Sequence, residues 1–215
     1  MAVRLDLNIS LDGVAAPEGG TPEKPFDEDW ALLTRHYTAT RTFRSRVLHD
    51  DSGAGTTGVD DAYARAYFES VGAEIMGAGM FGLKLYGDNP EWRGWWGDEP
   101  PFGIPVYVLT HQGPRPPLEF ANGTVFHFVE MGYEEALERA LADAGDKDVR
   151  IGGGVMVARE YLRRGLVDRA HLAISPLVLG RGLNLWDGLR GVEEHYSVSV
   201  EPAESGVIHL NLTRG

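Results

Sequence analysis

The sequence predicts an α/β fold built on a mostly parallel sheet, with an antiparallel hairpin at its C-terminal end. Three observations lead there. Apolar runs such as "PVYVLT" and "TVFHFV" lack in–out alternation and match strands buried on both faces. Helical patterns ("VDDAYARAYFESVG", "YEEALERALADAG" and "GVMVAREYLRRG") alternate with such runs. The tail, "HYSVSVEPAESGVIHLNLTRG", alternates on both sides of a turn at Ser205-Gly206.

The elements follow in order. "AVRLDLNISL" sets Val3, Leu5, Leu7, Ile9 and Leu11 against Arg4, Asp6, Asn8 and Ser10, a strand that stops at the turn signal Asp12-Gly13. From Val14 to about Gly58 the composition turns Gly-, Pro- and Asp-rich, which predicts a long surface excursion with one helical piece around Trp30 to Thr38. A helix then starts at Asp60-Asp61 and closes at Gly72, followed by the short buried strand "AEIMG". "NPEWRGWWGDEPPFG" reads as a loop. "PVYVLT" and "TVFHFV" are strands, and the helix after them closes at Gly145. "DVRIGG" is a strand opening directly into a helix, and "DRAHLAISPLVLG" reads as a strand reaching Gly180. No internal repeat or linker interrupts the pattern, which implies one domain over residues 1–215.

Bulk properties exclude several classes. The chain has no cysteine, so disulfide frameworks, thiolate metal sites and cysteine nucleophiles are out, and a cytoplasmic location is expected. Its net charge of −12 disfavours nucleic acid and anionic membranes as partners. No apolar run approaches the ~20 residues of a membrane-spanning helix. The seven histidines form no H-x-x-x-H or H-x-H pair, so no metal site is expected, and no G-x-S-x-G elbow occurs.

Chemistry concentrates where strands end in glycine. In "RIGGGVMVARE", Gly152, Gly153 and Gly154 separate a strand from a helix. Free amides and the positive end of the helix dipole there suit a phosphate, although glycines at such a junction also serve plain packing. "IMGAGMFG" repeats the context with Gly77 and Gly79 ahead of Met80 and Phe81, and two such turns suit the two phosphates of one dinucleotide. Thr110 and His111 end a third strand, where a hydroxyl and an imidazole suit a ribose or its phosphate. Asp12 at the end of the first strand can orient a polar ring or relay a proton, or simply form an Asp-Gly turn. Trp95 and Trp96 suit either a wall for a flat heterocycle or a cap on the core.

Taken in order, "SLDGV", "IMGAGMFG", "PVYVLTH", "RIGGGVMVAREYLRRGLVDRAHLAISPLVLGRGLNLWDGL" and the closing hairpin resemble the dihydrofolate-reductase-like superfamily. The chain is similar in particular to the reductase domain of the bifunctional riboflavin-biosynthesis deaminase-reductase, without a zinc motif for the deaminase half. The resemblance implies a three-layer sandwich, a central, mainly parallel sheet flanked by helices. It also implies NADPH as hydride donor and a homodimer acting on a small-molecule substrate. Carried over by motif, Gly152, Gly153, Gly154, Val155 and Met156 would hold the pyrophosphate, with Gly77, Gly79, Met80 and Phe81 on the other phosphate-side loop. Thr110 and His111 would lie by the adenosine ribose, and Leu11 and Gly13 by the nicotinamide. Ser10 and Asp12 would face the substrate, with Asp12 as the catalytic candidate; Asn8, Trp95 and Trp96 are further substrate-side candidates. Two positions depart from the pattern. Ala78 stands where relatives commonly carry a base, which keeps NADH as an alternative cofactor, and Gly152 stands where the riboflavin reductases carry glutamate. A dihydrofolate-reductase-type activity and a non-catalytic nucleotide-binding relative are the alternatives.

Overall fold

The computed structural model describes residues 1–113 and 115–215. In chain order the first half forms β1 (Val3–Ser10), β2 (Val14–Ala16), α1 (Glu28–Thr38), α2 (Arg41–Leu48), α3 (Val59–Phe68) and β3 (Val71–Gly77). The short helices α4 (Ala78–Phe81) and α5 (Leu83–Tyr86), then β4 (Pro105–Leu109), β5 (Leu118–Glu119) and β6 (Val125–Val129), follow. The rest comprises α6 (Tyr133–Ala144), β7 (Asp148–Ile151), α7 (Val155–Arg163), β8 (Arg169–Ser175), β9 (Leu183–Asn184), a 3-10 turn (Val192–His195), β10 (Tyr196–Pro202) and β11 (Ile208–Arg214). The result is a mixed α/β chain with a mainly parallel central sheet and antiparallel C-terminal strands.

The chain divides into two compact units, the first of residues Met1–Leu5 and Ser70–Asp168, the second of Asp6–Glu69 and Arg169–Gly215. β1 crosses from one to the other between Leu5 and Asp6.

In the first unit the strand order is β1-β7-β3-β4-β6-β5, parallel except for β5. All seven residues of β3 are buried, which is why its run "VGAEIMG" shows no alternation. Gly72 is required there because a Cβ would press on the Ala144 backbone at the end of α6, 2.5 Å from its carbonyl oxygen. Met76, Phe81, Leu83, Val106, Val108, Phe120, Phe126 and Phe128 form an apolar core, with Trp92, Trp96 and Phe102 packed against it.

The second unit holds the antiparallel set β8-β11-β10, in which Leu172 pairs with Leu210 and Val200 with Leu210 from the other side. β8 stops at Ser175, five residues short of the strand end read from the sequence at Gly180. Pro176 removes the next ladder donor, and Leu177 turns back instead, donating to the Ser175 carbonyl at 2.8 Å. The excursion from Val14 to Gly58 contains α1, capped by Asp27 accepting from the Trp30 amide. It also contains α2, capped by the Thr40 hydroxyl and closed by His49 at φ 54°. No helix among the described residues is long and apolar enough to cross a membrane.

Candidate functional site

In the first unit, four parallel strands bring their carboxyl ends to one edge. Gly77 pairs with Leu109, Leu109 with Val129, and Ile75 with Ile151. Ligands of α/β sheets bind at this edge. The two glycine turns expected to work together do meet there. The Gly77 amide donates to the Gly153 carbonyl at 3.1 Å, and the Gly152 amide to the Ile75 carbonyl at 2.9 Å. Gly154 has φ +85°, and a Cβ on it would lie 3.1 Å from the Gly77 backbone; Gly153 has φ +136°, with the Met80 side chain 3.1 Å from its Cβ position. Both conformations and both approaches require glycine.

Past this junction α7 begins at Val155, its N-cap Gly154 contributing no side chain. The first amides of a helix have no partner within it, and the dipole is positive at that end. Met156 is exposed on this turn while Val155 is buried. On the other glycine turn, Gly79 is exposed and a Cβ there would meet nothing within 4 Å. The turn residues therefore present backbone donors and open space, which fits a diphosphate held by amides. Thr110 is buried at the end of β4 with its amide on the Val129 carbonyl, and its hydroxyl accepts from the Gln112 amide at 3.1 Å. His111 is exposed, with Nδ1 3.9 Å from the Glu130 carboxylate. Beside Ala78 this leaves no cation among the expected residues for a ribose phosphate, only an imidazole next to an acid.

The tryptophan loop reaches α4, just past the first of these turns. Trp95 Nε1 donates to the Met80 carbonyl at 2.8 Å and Trp92 Nε1 to the Phe81 carbonyl at 2.9 Å. Trp96 packs on Phe102, Phe126 and Phe81. These contacts brace the loop and cap the core.

Sequence reading missed the pair beneath the turns. Glu74 and Arg150 are directly opposed on β3 and β7 and form an ion pair with both side chains 1 % exposed. A Cβ at Gly152 would fall on the Glu74 carboxyl group. The space a glutamate at position 152 would need is thus filled by an acid arriving from the neighbouring strand. The only advance signal was a charge of each sign inside otherwise apolar runs.

In the second unit, the end of β1 forms a tight turn. The Ser10 hydroxyl donates to Asp12 Oδ1 at 2.5 Å and accepts from the Val14 amide at 3.0 Å. The Asp12 carboxylate also takes the Leu179 amide at 3.1 Å and the Gly180 amide at 2.8 Å. The Ser10 hydroxyl first, then these amides, hold Asp12 below its ordinary pKa, with desolvation opposing. Asn184 donates to the Asp12 carbonyl, and a Cβ on Gly13, which sits at φ +81°, would meet Trp186 at 2.8 Å and Asn184 at 2.9 Å. Leu11 is exposed and Asn8 half-buried.

The same unit buries a second polar group that sequence reading missed. His209 Nε2 lies 3.0 Å from Asp60, its Nδ1 2.9 Å from His171 Nε2, and His171 Nδ1 3.3 Å from Asp6. Tyr63 stacks on both rings, at 4.0 and 4.4 Å between centroids. Among the described residues no group of three or more His, Asp or Glu side chains is arranged to hold a metal ion.

Comparison with known proteins matches this arrangement to one family. The model of the RibD C-terminal domain covers residues 1–208. No curated protein sequence matches the chain. Among solved structures, a protein of Shewanella sp. PV-4 assigned to riboflavin biosynthesis is 18% identical, with a TM-score of 0.61 over 100% of this chain and 99% of that one. The diaminohydroxyphosphoribosylaminopyrimidine deaminase/5-amino-6-(5-phosphoribosylamino)uracil reductase of Thermotoga maritima is 16% identical with a TM-score of 0.56; all of this chain spans 56% of it. Dihydrofolate reductase of Enterococcus faecalis, complexed with NADP(H) and RAB-propyl, is 12% identical with a TM-score of 0.51 over 100% and 96% of the two chains. These likenesses share the fold, and the match over residues 1–208 carries the assignment: the chain belongs to the RibD C-terminal domain family of oxidoreductases.

Proposed function

We propose that this chain, with residues 1–215 working as one reductase domain, is an NADPH-dependent reductase of a small heterocyclic substrate. In this reading it resembles the 5-amino-6-(5-phosphoribosylamino)uracil reductase of riboflavin biosynthesis and works as a cytoplasmic homodimer. The observation that carries the reading is the junction of two glycine turns at the ends of β3 and β7, beside the N-terminus of α7.

A nicotinamide held by these residues would supply hydride for reduction of a C=N or C=O bond, with one proton completing the addition. The chain's own work is binding and alignment. Amides of Gly79, Gly153, Gly154, Val155 and Met156 hold the diphosphate, with Gly77 joining the two turns through its bond to the Gly153 carbonyl, and Thr110 and His111 border the adenosine ribose. Asn8, Ser10, Leu11, Asp12 and Gly13 serve the nicotinamide and substrate. Asp12, kept ionised by the Ser10 hydroxyl and two amides, is in this reading a positioning residue, and solvent supplies the proton.

One observation favours NADH as the alternative donor: Glu130 stands 3.9 Å from His111, and Ala78 offers no compensating charge to a 2′-phosphate.

Calorimetric titration with NADPH and NADH tests the reading. Binding of either supports it, and the ratio of the two affinities decides the donor. Turnover is then followed by nicotinamide absorbance with 5-amino-6-(5-phosphoribosylamino)uracil or with dihydrofolate. Absence of binding by both nucleotides would overturn it, and binding without oxidation on either substrate or a wider heterocycle panel would leave a non-catalytic nucleotide-binding relative.

A further inference from the structure

We propose that Trp92 and Trp95 are positioning residues for the nucleotide site, acting as a clamp on α4 that sets how tightly the diphosphate turns are held. The proposal rests on the nucleotide reading above and assigns these rings to the cofactor side instead of the substrate side.

α4 is one turn long, too short to hold its shape alone. Its carbonyls at Met80 and Phe81 are taken by the indole N–H groups of Trp95 and Trp92, which arrive from fifteen and eleven residues downstream. Gly82 ends the turn at φ +96°, and a Cβ there would meet Trp95 Cζ2 at 2.8 Å and Trp92 Cζ2 at 2.9 Å. The two rings therefore fit only against a glycine in the left-handed region. They are fixed in turn by one another, edge to face at 4.8 Å, and by Tyr86, stacked on Trp92 at 4.0 Å.

The clamp bears on both glycine turns. Gly77 caps the clamped segment and Gly79 lies within it, and the Met80 side chain lies 3.1 Å from the Cβ position of Gly153 on the other turn. Holding the Met80 and Phe81 carbonyls thus fixes the direction of the Ala78 and Gly79 amides at the start of α4 and seats Met80 over Gly153. Amides fixed in advance lose less entropy when an anion arrives.

Trp92→Phe and Trp95→Phe keep an aromatic ring and delete one donor each. With NADPH and NADH as calorimetric probes, each variant is expected to raise the Kd about three- to tenfold, the range for one lost neutral hydrogen bond. Trp30→Phe, on α1, is expected to leave the Kd unchanged. Gly82→Ala, which drives a methyl group into both indoles, is expected to weaken binding at least as much as either.

Variants that melt earlier yet keep the wild-type Kd would show rings that are structural only and would overturn the proposal. If one Trp variant does not fold, the other decides by the same comparison of Kd with melting temperature. A wild-type protein that binds neither nucleotide would sink the nucleotide reading and this clamp with it; a wild-type that binds, with variants binding alike, sinks the clamp alone.

Discussion

The two units each bury ionisable side chains, and they do so with different chemistry. In the first, Glu74 and Arg150 face each other on adjacent strands, a pair of strong opposite charges with both side chains 1 % exposed. In the second, Asp60, His209, His171 and Asp6 run in a line through two imidazoles, with His36 edge-on to His209 at 6.2 Å. Guanidinium and carboxylate keep their charges across the neutral range, whereas imidazoles exchange protons within it. The difference teaches that one unit fixes its buried charge permanently while the other is sensitive to acid.

The largest expected effect comes from breaking the permanent pair. Arg150→Met leaves Glu74 buried without its guanidinium and should cost about 3–5 kcal/mol in urea unfolding; adding Glu74→Leu should recover most of it. A single-variant cost below about 1 kcal/mol would mean the pair is not desolvated.

Acid should then separate the units. Burial first, with His209 and His171 adding to it against Asp60, pushes the His36 pKa down to about 4. His209 is lowered as well, by burial and by His171, with Asp60 opposing. Between the ordinary histidine value and about pH 4 the unfolded chain binds more protons than the folded one, so stability falls as pH drops through that window. The His36 shift alone amounts to about 3 kcal/mol. Hydrogen exchange read region by region from pH 7 to 4.5 should show α1, α3 and β11 losing protection before β3 and β7. His36→Leu should flatten that dependence, and equal loss in both regions would erase the distinction.

A smaller effect sharpens the first unit. Gly152→Ala places a methyl group on the Glu74 carboxyl and should destabilise by about 1–3 kcal/mol, with relief in the Glu74→Ala background. The smallest belongs to the second unit, where Asp12→Ala removes the acceptor for the Leu179 and Gly180 amides. It should cost about 1 kcal/mol and speed amide exchange at those two positions.

What was legible in the sequence followed the same division. β3, β4, β6 and β7 announce themselves as short apolar runs, and α6 and α7 by helical spacing, because burial on a regular element leaves a period. The pairing of the two glycine turns was inferable because each follows a strand of one parallel sheet. In the second unit, α2 has no buried residue and is held by its caps, Thr40 and His49, and by contacts such as Thr42 to Asp61 and Phe43 to Tyr37, so no apolar period marks it. β2 and β9 are two or three residues long and exist only through each other. Long-range partners leave no local trace: nothing near Glu74 points to Arg150, and nothing near Asp60 points to His209. The tryptophan loop was visible as aromatic, but which carbonyls it would hold was not.

The crossing of β1 from one unit to the other has a consequence in time. Val3 pairs with Val149, and its amide and carbonyl are taken by Asp168. The first strand therefore waits for partners some 145 residues further along before either side of it is satisfied. During synthesis at about 5–20 residues per second, it stays unpaired for roughly seven to thirty seconds. Contacts of such sequence separation slow folding. Arg4, Asp6 and Asn8, spaced between its apolar residues, are what keep this waiting edge from pairing with another chain.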